Sequence, residues 1–316
     1  MRHLILAFSL FVLAFPPASS LRAEVTEISL ATATPGGGFE LFGGHAATVI
    51  NAADPTLNVT PFNTRGSGEN LTLLPEGAFD IGLVSGVPAY EAFEGIGREK
   101  VDLKIISATY PGPGFFAVMP ESPARSVPDL VGKRIVWGTQ SSGLNRMAFY
   151  IFDGLGLDRD RDFIATYLDK AGDGPPKLFA GDVDAHWGGN IGWPNFVKIS
   201  AAGGRFTGFT EAEVIKITTT HPFLNAMTVP AGSYTGQTTD LKTVGLWSFI
   251  LARPDLPDDV AYRLAKALHE GHADLAARLP QGRDTTPQNT INAALRPDLI
   301  HPGVQQFYAE LGLSAD

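Results

Sequence analysis

The sequence predicts an α/β fold of two lobes joined by a hinge, in which each lobe holds a mixed, mostly parallel sheet flanked by helices. Three observations predict it. Short apolar or β-branched runs alternate with stretches of helical periodicity, as is typical of α/β layers. The 316 residues exceed what one hydrophobic core usually organises. A Pro/Gly cluster at 110–116 and a Gly/Ser/Thr-rich stretch at 230–239 mark the predicted crossings between the lobes.

The elements follow in chain order. Apolar runs predict strands over residues 28–33, 57–62, 81–84, 103–108, 115–119, 134–137 and 246–251. Stripes of apolar side chains at helical spacing predict helices over 39–51 and 260–279. This order predicts lobe one over 24–117, lobe two over 118–229, and a return to lobe one with C-terminal helices over 230–316.

The first residues have the layout of a secretory signal peptide. Arg2 and His3 precede an apolar run over 4–15, and Pro16, Pro17 and small residues follow. We expect residues 1–23 to be removed by cleavage after Ala23, with cleavage after Ser20 as the alternative, and the mature protein to be soluble and periplasmic. The run is shorter than the roughly 20 residues that span a bilayer.

Composition excludes several classes of site and partner. The chain has no cysteine, which excludes a lipoprotein anchor, disulfides, thiolate metal sites and a cysteine nucleophile. The formal charge is −9 and becomes −11 when Arg2 and Arg22 leave with the signal peptide. Nucleic acid is therefore not an expected partner. We expect no metal and no cofactor.

Three turns rich in glycine and hydroxyl side chains each follow a predicted strand and open a predicted helix. They read TPGGGF at 34–39, NTRGSGEN at 63–70 and GTQSSGLN at 138–145. Ser67 is a candidate N-cap in the second turn, and Ser141 or Ser142 in the third. Helix N-termini offer free N–H groups to anions, and such turns meet at the carboxyl ends of the strands in an open sheet. Together they predict one ligand site.

Enzyme motifs are not found in the sequence. The glycines of the first turn lack the spacing of a dinucleotide fingerprint, because Leu41 or Glu40 stands where a small residue is needed. No phosphate-binding loop with lysine occurs. GLVSG, which holds Ser85, and GTQSSG both miss the nucleophile elbow. HEGH at 269–272 lacks the spacing of a zinc protease motif. We therefore expect no enzyme.

Several blocks in sequence order resemble one family. They are ATATPGGGFELFG, GSGENLTLLPEGAFDIGLVSG, VPDLVGKRIVWGTQSSGLN, GDVDAHWGG and HPGVQQFYAELG. The chain resembles the TAXI branch of the solute-binding proteins that serve TRAP transporters, which are periplasmic receptors of the two-lobed type II fold. We expect a monomeric receptor without catalytic activity. The resemblance implies that the receptor closes over a small organic anion, such as an amino acid, keto acid or dicarboxylate (glutamate, for example), and delivers it to a TRAP permease.

Residues from the three turns, the predicted hinge and the aromatic segment DAHWGGN form the predicted ligand site together with Ser85. They are Gly36, Gly37, Gly38, Phe39, Arg65, Gly66, Ser67, Asn70, Ser85, Tyr110, Gln140, Ser141, Ser142, His186, Trp187 and Asn190.

Some of these residues have a second interpretation. Arg65 either binds a ligand carboxylate through two N–H groups or is a solvated surface arginine. In the first case its charge-assisted bond would contribute roughly 1.5–3 kcal/mol to the binding free energy. Trp187 either faces the solute or fills the core beside a surface His186, and Tyr110 either closes over the ligand or stiffens the crossover. Relatives usually place tyrosine where this chain has Phe39 and Glu40, which predicts a less polar solute or one with an added positive group.

Overall fold

The computed structural model describes residues 25–314. Its strands are β1 Thr26–Ala31, β2 Leu57–Phe62, β3 Ile81–Val84, β4 Lys104–Val118, β5 Arg134–Thr139, β6 Ile164–Leu168, β7 Ala185–Gly189, β8 Arg205–Thr207, β9 Asn225–Val229 and β10 Leu241–Ala252. Its α-helices are α1 Gly38–Ala53, α2 Ser67–Leu73, α3 Gly86–Glu94, α4 Gly143–Leu155, α5 Gly174–Phe179, α6 Pro194–Ala201, α7 Glu211–Thr220, α8 Asp258–Glu270, α9 His272–Arg278, α10 Pro287–Ala293 and α11 Pro302–Glu310. The signal peptide predicted for 1–23 lies outside the described residues.

The strands form one continuous path in the order β2-β1-β3-β10-β4-β7-β5-β6. The ends of the path are parallel units, β2-β1-β3 on one side and β7-β5-β6 on the other. The long strands β4 and β10 join these units through antiparallel pairing. The predicted α/β fold with a mixed sheet flanked by helices is confirmed, and the parallel pairing lies in the two end units.

Strand β4 corrects the prediction of two strands, 103–108 and 115–119, separated by a Pro/Gly hinge. The strand passes through the Pro/Gly cluster, where Pro111 pairs with Trp247 and Pro113 with Gly245 of β10. Pairing with β7 begins only at Gly114, so β4 is locally an edge strand at both prolines. An edge tolerates proline because no ladder bond needs its missing N–H.

The buried side chains form two groups of hydrophobic clusters. One group draws on residues up to Tyr110 and from Phe249 onward. The other draws mainly on the chain from Phe115 to Val244, together with Val87 of α3. We refer to these groups as lobe one and lobe two, and we propose that both crossings lie inside β4 and β10. The second crossing then falls after Val244, later than the break at residue 230 that composition predicted.

The helix predicted over 260–279 is two helices, α8 and α9, which meet at Gly271. A Cβ on Gly271 would lie 2.1 Å from Cγ1 of Val49 in α1. Glycine therefore lets the chain turn directly against α1, at a position where side-chain periodicity alone continued the helix. Among residues 25–314, no helix has both the length and the apolar character needed to cross a bilayer.

Candidate functional site

A cavity of about 70 Å³ lies between the two lobes. Lobe one supplies the turns that precede α1, α2 and α3, and lobe two supplies the β5–α4 turn and the end of β7. The lining residues are Ala33, Thr34, Gly37, Gly38, Phe39, Arg65, Gly66, Ser67, Ser85, Trp137, Gly138, Thr139, Ser142, Gly143, Leu144, Leu168, Ala171, His186, Trp187, Asn190 and Trp193. The three predicted turns therefore meet at one cavity.

The glycine turn presents the N-terminus of α1 to the cavity. Gly37 is the N-cap and has no side chain to cap the helix, and the N–H groups of Gly38 and Phe39 have no backbone partner within the described chain. The Glu40 carboxylate points back to accept a hydrogen bond from the N–H of Gly36 at 2.6 Å. Glu40 does not line the cavity, so it supplies no partner for a positive group on a solute.

The serines of the second and third turns have different roles. Helix α2 begins at Ser67 with Gly66 as N-cap, so the predicted N-cap role of Ser67 is wrong. The Ser67 hydroxyl instead accepts from the Ser85 N–H at 3.0 Å and donates to the Ser85 hydroxyl at 3.3 Å. Ser142 caps α4 as predicted, because its hydroxyl accepts from the Leu144 N–H at 3.2 Å.

Hydrogen bonds donated by backbone N–H groups cross the cleft near the cavity and hold the lobes closed. The Ala171 N–H donates to the Thr34 hydroxyl at 3.1 Å, and the Gly68 N–H donates to the Ser141 carbonyl at 3.1 Å. Gly36 is in the left-handed region at φ 78°. A Cβ on Gly36 would lie 2.7 Å from Cα of Gly172, so the turn needs glycine for its conformation and for closure.

His186 and Trp187 both lie in the cavity wall and are buried. Burial lowers the pKa of His186 to about 4, partly offset by its bond to the Trp187 carbonyl. That bond, 2.7 Å from Nδ1, requires the proton on Nδ1 because a carbonyl only accepts. The Trp187 indole N–H donates to the Leu144 carbonyl at 2.9 Å. His186 is therefore neutral and buried, which corrects the surface-histidine alternative, and the Trp187 N–H is already paired.

Asn190 is the one residue outside glycine with positive φ among residues 25–314, at 67°. It is 9% exposed, lines the cavity, and its Oδ1 has no hydrogen-bond partner in the described structure. Its carbonyl accepts from the Tyr234 hydroxyl at 2.5 Å and its N–H donates to the Pro113 carbonyl at 3.1 Å. The main chain is fixed while the amide stays unpaired, a combination common at functional sites.

Three of the predicted residues lie behind or beside the wall. Asn70 is fully buried, and its amide donates to the carbonyls of Thr32 at 2.9 Å and Leu83 at 2.8 Å. It braces the ends of β1 and β3 and does not line the cavity. Tyr110 packs edge-on against Phe42 with ring centres 5.1 Å apart, which fits the stiffening interpretation. Gly36 faces lobe two, as described above.

Gln140 and Ser141 line a second, more open cavity at the mouth of the cleft. Arg65 lines both cavities, and its side chain is 80% exposed, with Nε 3.8 Å from the Glu69 carboxylate. Solvent and Glu69 both weaken the attraction of such a cation for an anion. The structure therefore places Arg65 at the rim and favours the solvated interpretation over a buried fork.

The predicted site left out ten residues that line the cavity, five of them within the first and third glycine turns and five elsewhere. They are Ala33, Thr34, Trp137, Gly138, Thr139, Gly143, Leu144, Leu168, Ala171 and Trp193. Trp137 and Thr139 come from β5, whose predicted end at residue 137 left Thr139 in a loop. Thr34 and Ala171 meet only when the lobes close, so no local signal pairs them. Aromatic enrichment around Trp193 was visible in the sequence and was a usable signal.

Comparison with known proteins gives the fold first. The alkanesulfonate-binding protein SsuA from Xanthomonas axonopodis pv. citri, bound to MOPS, is similar at TM-score 0.50 and 18% identity over 91% of this chain and 84% of that one. A putative L-cystine ABC transporter protein from Listeria monocytogenes is similar at TM-score 0.52 and 14% identity, over 83% of this chain and 98% of that one. A protein from Bordetella bronchiseptica RB50 is similar at TM-score 0.56 and 14% identity, over 91% of this chain and 98% of that one. The chain has the type II periplasmic binding-protein fold.

The family follows from the sequence itself. The model of the NMT1-like family matches residues 30–312, which is most of the chain. The protein belongs to the NMT1-like family.

Proposed function

We propose that this protein is an extracytoplasmic solute-binding receptor that captures a small organic anion between its lobes and delivers it to a membrane permease. One observation carries the proposal, which is the cavity enclosed by the turns of both lobes. Residues of lobe one and lobe two contribute to the same wall, and hydrogen bonds such as that from Ala171 to Thr34 close it. A site built this way is complete only in the closed conformation.

Such a receptor acts by changing the relative populations of its open and closed conformations. A solute that contacts both lobes binds the closed conformation better than the open one, and this difference in affinity shifts the equilibrium. The α1 N-terminus and the hydroxyls of Ser85 and Ser142 suit an anion. The wall supports recognition without a covalent step, since neutral His186 is paired to the Trp187 carbonyl. A sensory protein or an enzyme on the same fold is the alternative.

The comparisons support a transport role, because one similar protein is an alkanesulfonate-binding protein and another is a putative L-cystine ABC transporter. The sequence resemblance to the TAXI branch instead favours a TRAP permease, which an ion gradient drives. Solute uptake by cells that carry both the receptor and its permease separates the two. A TRAP permease should stop when the ion gradient is dissipated, and an ABC transporter should stop when ATP is depleted.

Solute binding is measurable on the purified protein. Trp137, Trp187 and Trp193 line the cavity, so their fluorescence should respond to a bound solute. A solute at a hundred times its Kd should add about 2.7 kcal/mol to the free energy of unfolding. A panel of carboxylates, sulfonates, keto acids and amino acids should therefore contain at least one that raises Tm. A flat panel, together with no small molecule released on denaturing fresh protein, would contradict the proposal.

A further inference from the structure

The cavity wall carries almost no formal charge. No Asp or Glu of the described chain lines it, and Arg65 at the exposed rim is the single Lys or Arg that does. His186 is neutral, because burial lowers its pKa to about 4. An α-ammonium group would leave water here without a carboxylate partner, and a second carboxylate would find no buried cation. Either loss is costly in an enclosed site.

The polar groups of the wall suit one anionic group. The N–H groups of Gly38 and Phe39 point out of the N-terminus of a helix of 16 residues, whose dipole favours negative charge. The Ser142 hydroxyl accepts from Leu144 and so keeps its own proton free to donate. Asn190 is an independent sign of a ligand, because its buried side chain lines the cavity with Oδ1 unpaired. Its amide N–H groups can donate to the anion, whereas Oδ1 only accepts and so suits a water or a hydroxyl group.

Apolar side chains form much of the rest of the wall. Phe39 and Leu168 are buried at its surface, and Trp137, Trp187 and Trp193 also line it. Burying a hydrocarbon body against such a surface contributes about 25 cal/mol of favourable free energy per Å² removed from water.

The size of the cavity limits the length of that body. A buried water needs about 10–15 Å³ of this kind of space, so about 70 Å³ holds about five water-sized groups. Bonded atoms lie closer together than separate waters do, so a compact solute of about seven to nine non-hydrogen atoms fits the closed cleft.

We propose that the receptor selects a small monoanion with a compact, branched hydrocarbon body, carrying one carboxylate or sulfonate, and discriminates against α-amino acids and dicarboxylates of the same size. This inference rests on the proposed function and narrows its ligand class. It differs from the glutamate-like ligands that the sequence resemblance implies.

A matched series of acids tests the selection by calorimetry. Valine is 3-methylbutanoate with an added ammonium group, and methylsuccinate is 3-methylbutanoate with one methyl replaced by a carboxylate. We expect 3-methylbutanoate to bind at least about tenfold more tightly than either, since an unpaired buried charge costs more than about 1.4 kcal/mol, a factor of ten. 2-Methylpropane-1-sulfonate shares the same alkyl group and tells whether carboxylate or sulfonate is preferred. 3-Methylbutanamide, the neutral control, should bind weakly.

A change in the wall tests the electrostatic reason. Thr139 is 7% exposed and lines the cavity, so Thr139→Asp adds a carboxylate there and Thr139→Asn is its uncharged match. The aspartate variant should bind valine at least about fivefold more tightly than the asparagine variant, as a charge-assisted hydrogen bond predicts. Equal valine affinity in the two variants would contradict the inference.

The remaining outcomes are distinct. Valine or methylsuccinate binding as tightly as 3-methylbutanoate would overturn the inference and leave a solute-binding receptor in place. Failure of every member of the series to bind would also overturn it. In that case a solute released from fresh protein would still uphold the proposed function, and the absence of any such solute would remove both.

Discussion

Gly143 offers the sharpest test of lobe closure. It is the first residue of α4 in lobe two, and it faces Ser85 and Ser67 of lobe one. A Cβ built on Gly143 would lie 2.3 Å from Cβ of Ser85 and 3.0 Å from Oγ of Ser67. Cβ of Ser85 is fixed to the main chain and cannot rotate away. The substitution Gly143→Ala should therefore oppose closure.

The size of the effect follows from the overlap. Ordinary contacts of a Cβ begin near 3.4 Å, so the lobes must separate by at least 1.1 Å at Gly143. Overpacking of this kind costs about 1–3 kcal/mol, which weakens solute binding by about 5- to 150-fold. Alanine is a better helix former than glycine by up to about 1 kcal/mol, so the unliganded protein should not lose stability.

Titration of tryptophan fluorescence with the tightest-binding solute measures the affinity, and thermal unfolding measures the unliganded protein. Gly44→Ala is the matched control, because Gly44 is also helical and a Cβ there would meet nothing within 4 Å. The control should bind as the wild type does. Wild-type affinity in Gly143→Ala would refute the closure geometry.

Three further predictions concern single side chains of the wall. Thr34→Val removes the acceptor for the Ala171 N–H across the cleft and should weaken solute binding by about 1 kcal/mol in calorimetry, whereas Thr34→Ser should not. Arg65→Ala should cost less than about 1 kcal/mol and less still at high salt, because the side chain is 80% exposed and pairs with Glu69; a loss of 2 kcal/mol or more, on the order of a buried charge-assisted bond, would contradict the rim position. Burial lowers the pKa of His186 from 6.5 to about 4, so its stabilising contribution is complete above pH 6.5 and is lost as pH falls toward 4. Urea unfolding should show a loss of about 3 kcal/mol over that range, and His186→Gln should lack this component.

The sequence was sufficient for elements whose signal is local. Helix α1 follows from the spacing of Phe42, Ala46 and Val49, all of which are buried against the sheet. Strand β7 was missed because AHWGG is short, buried on both faces and poor in β-branched residues. Pairing with β4 and β5 makes it a strand, and no local sequence pattern predicts that pairing.

The site residues likewise divide into those with a local sequence signal and those that depend on tertiary contacts. Glycine turns before helices predict free backbone N–H donors, and Gly37, Gly38 and Gly66 of these turns do line the cavity. The role of Asn70 was misassigned because an asparagine near a helix start serves a ligand or the main chain equally well from sequence. Here the ends of β1 and β3 place carbonyls within reach of its amide. The contact between Thr34 and Ala171 spans the two lobes and depends on closure.

A crystal structure of the protein grown with the solute that fresh preparations release would test the central claim most directly. The account predicts one solute molecule in the cavity, with its anionic group near the N–H groups of Gly38 and Phe39 and its body against residues of both lobes. A solute bound only in the second cavity at the rim, or in contact with one lobe alone, would contradict it.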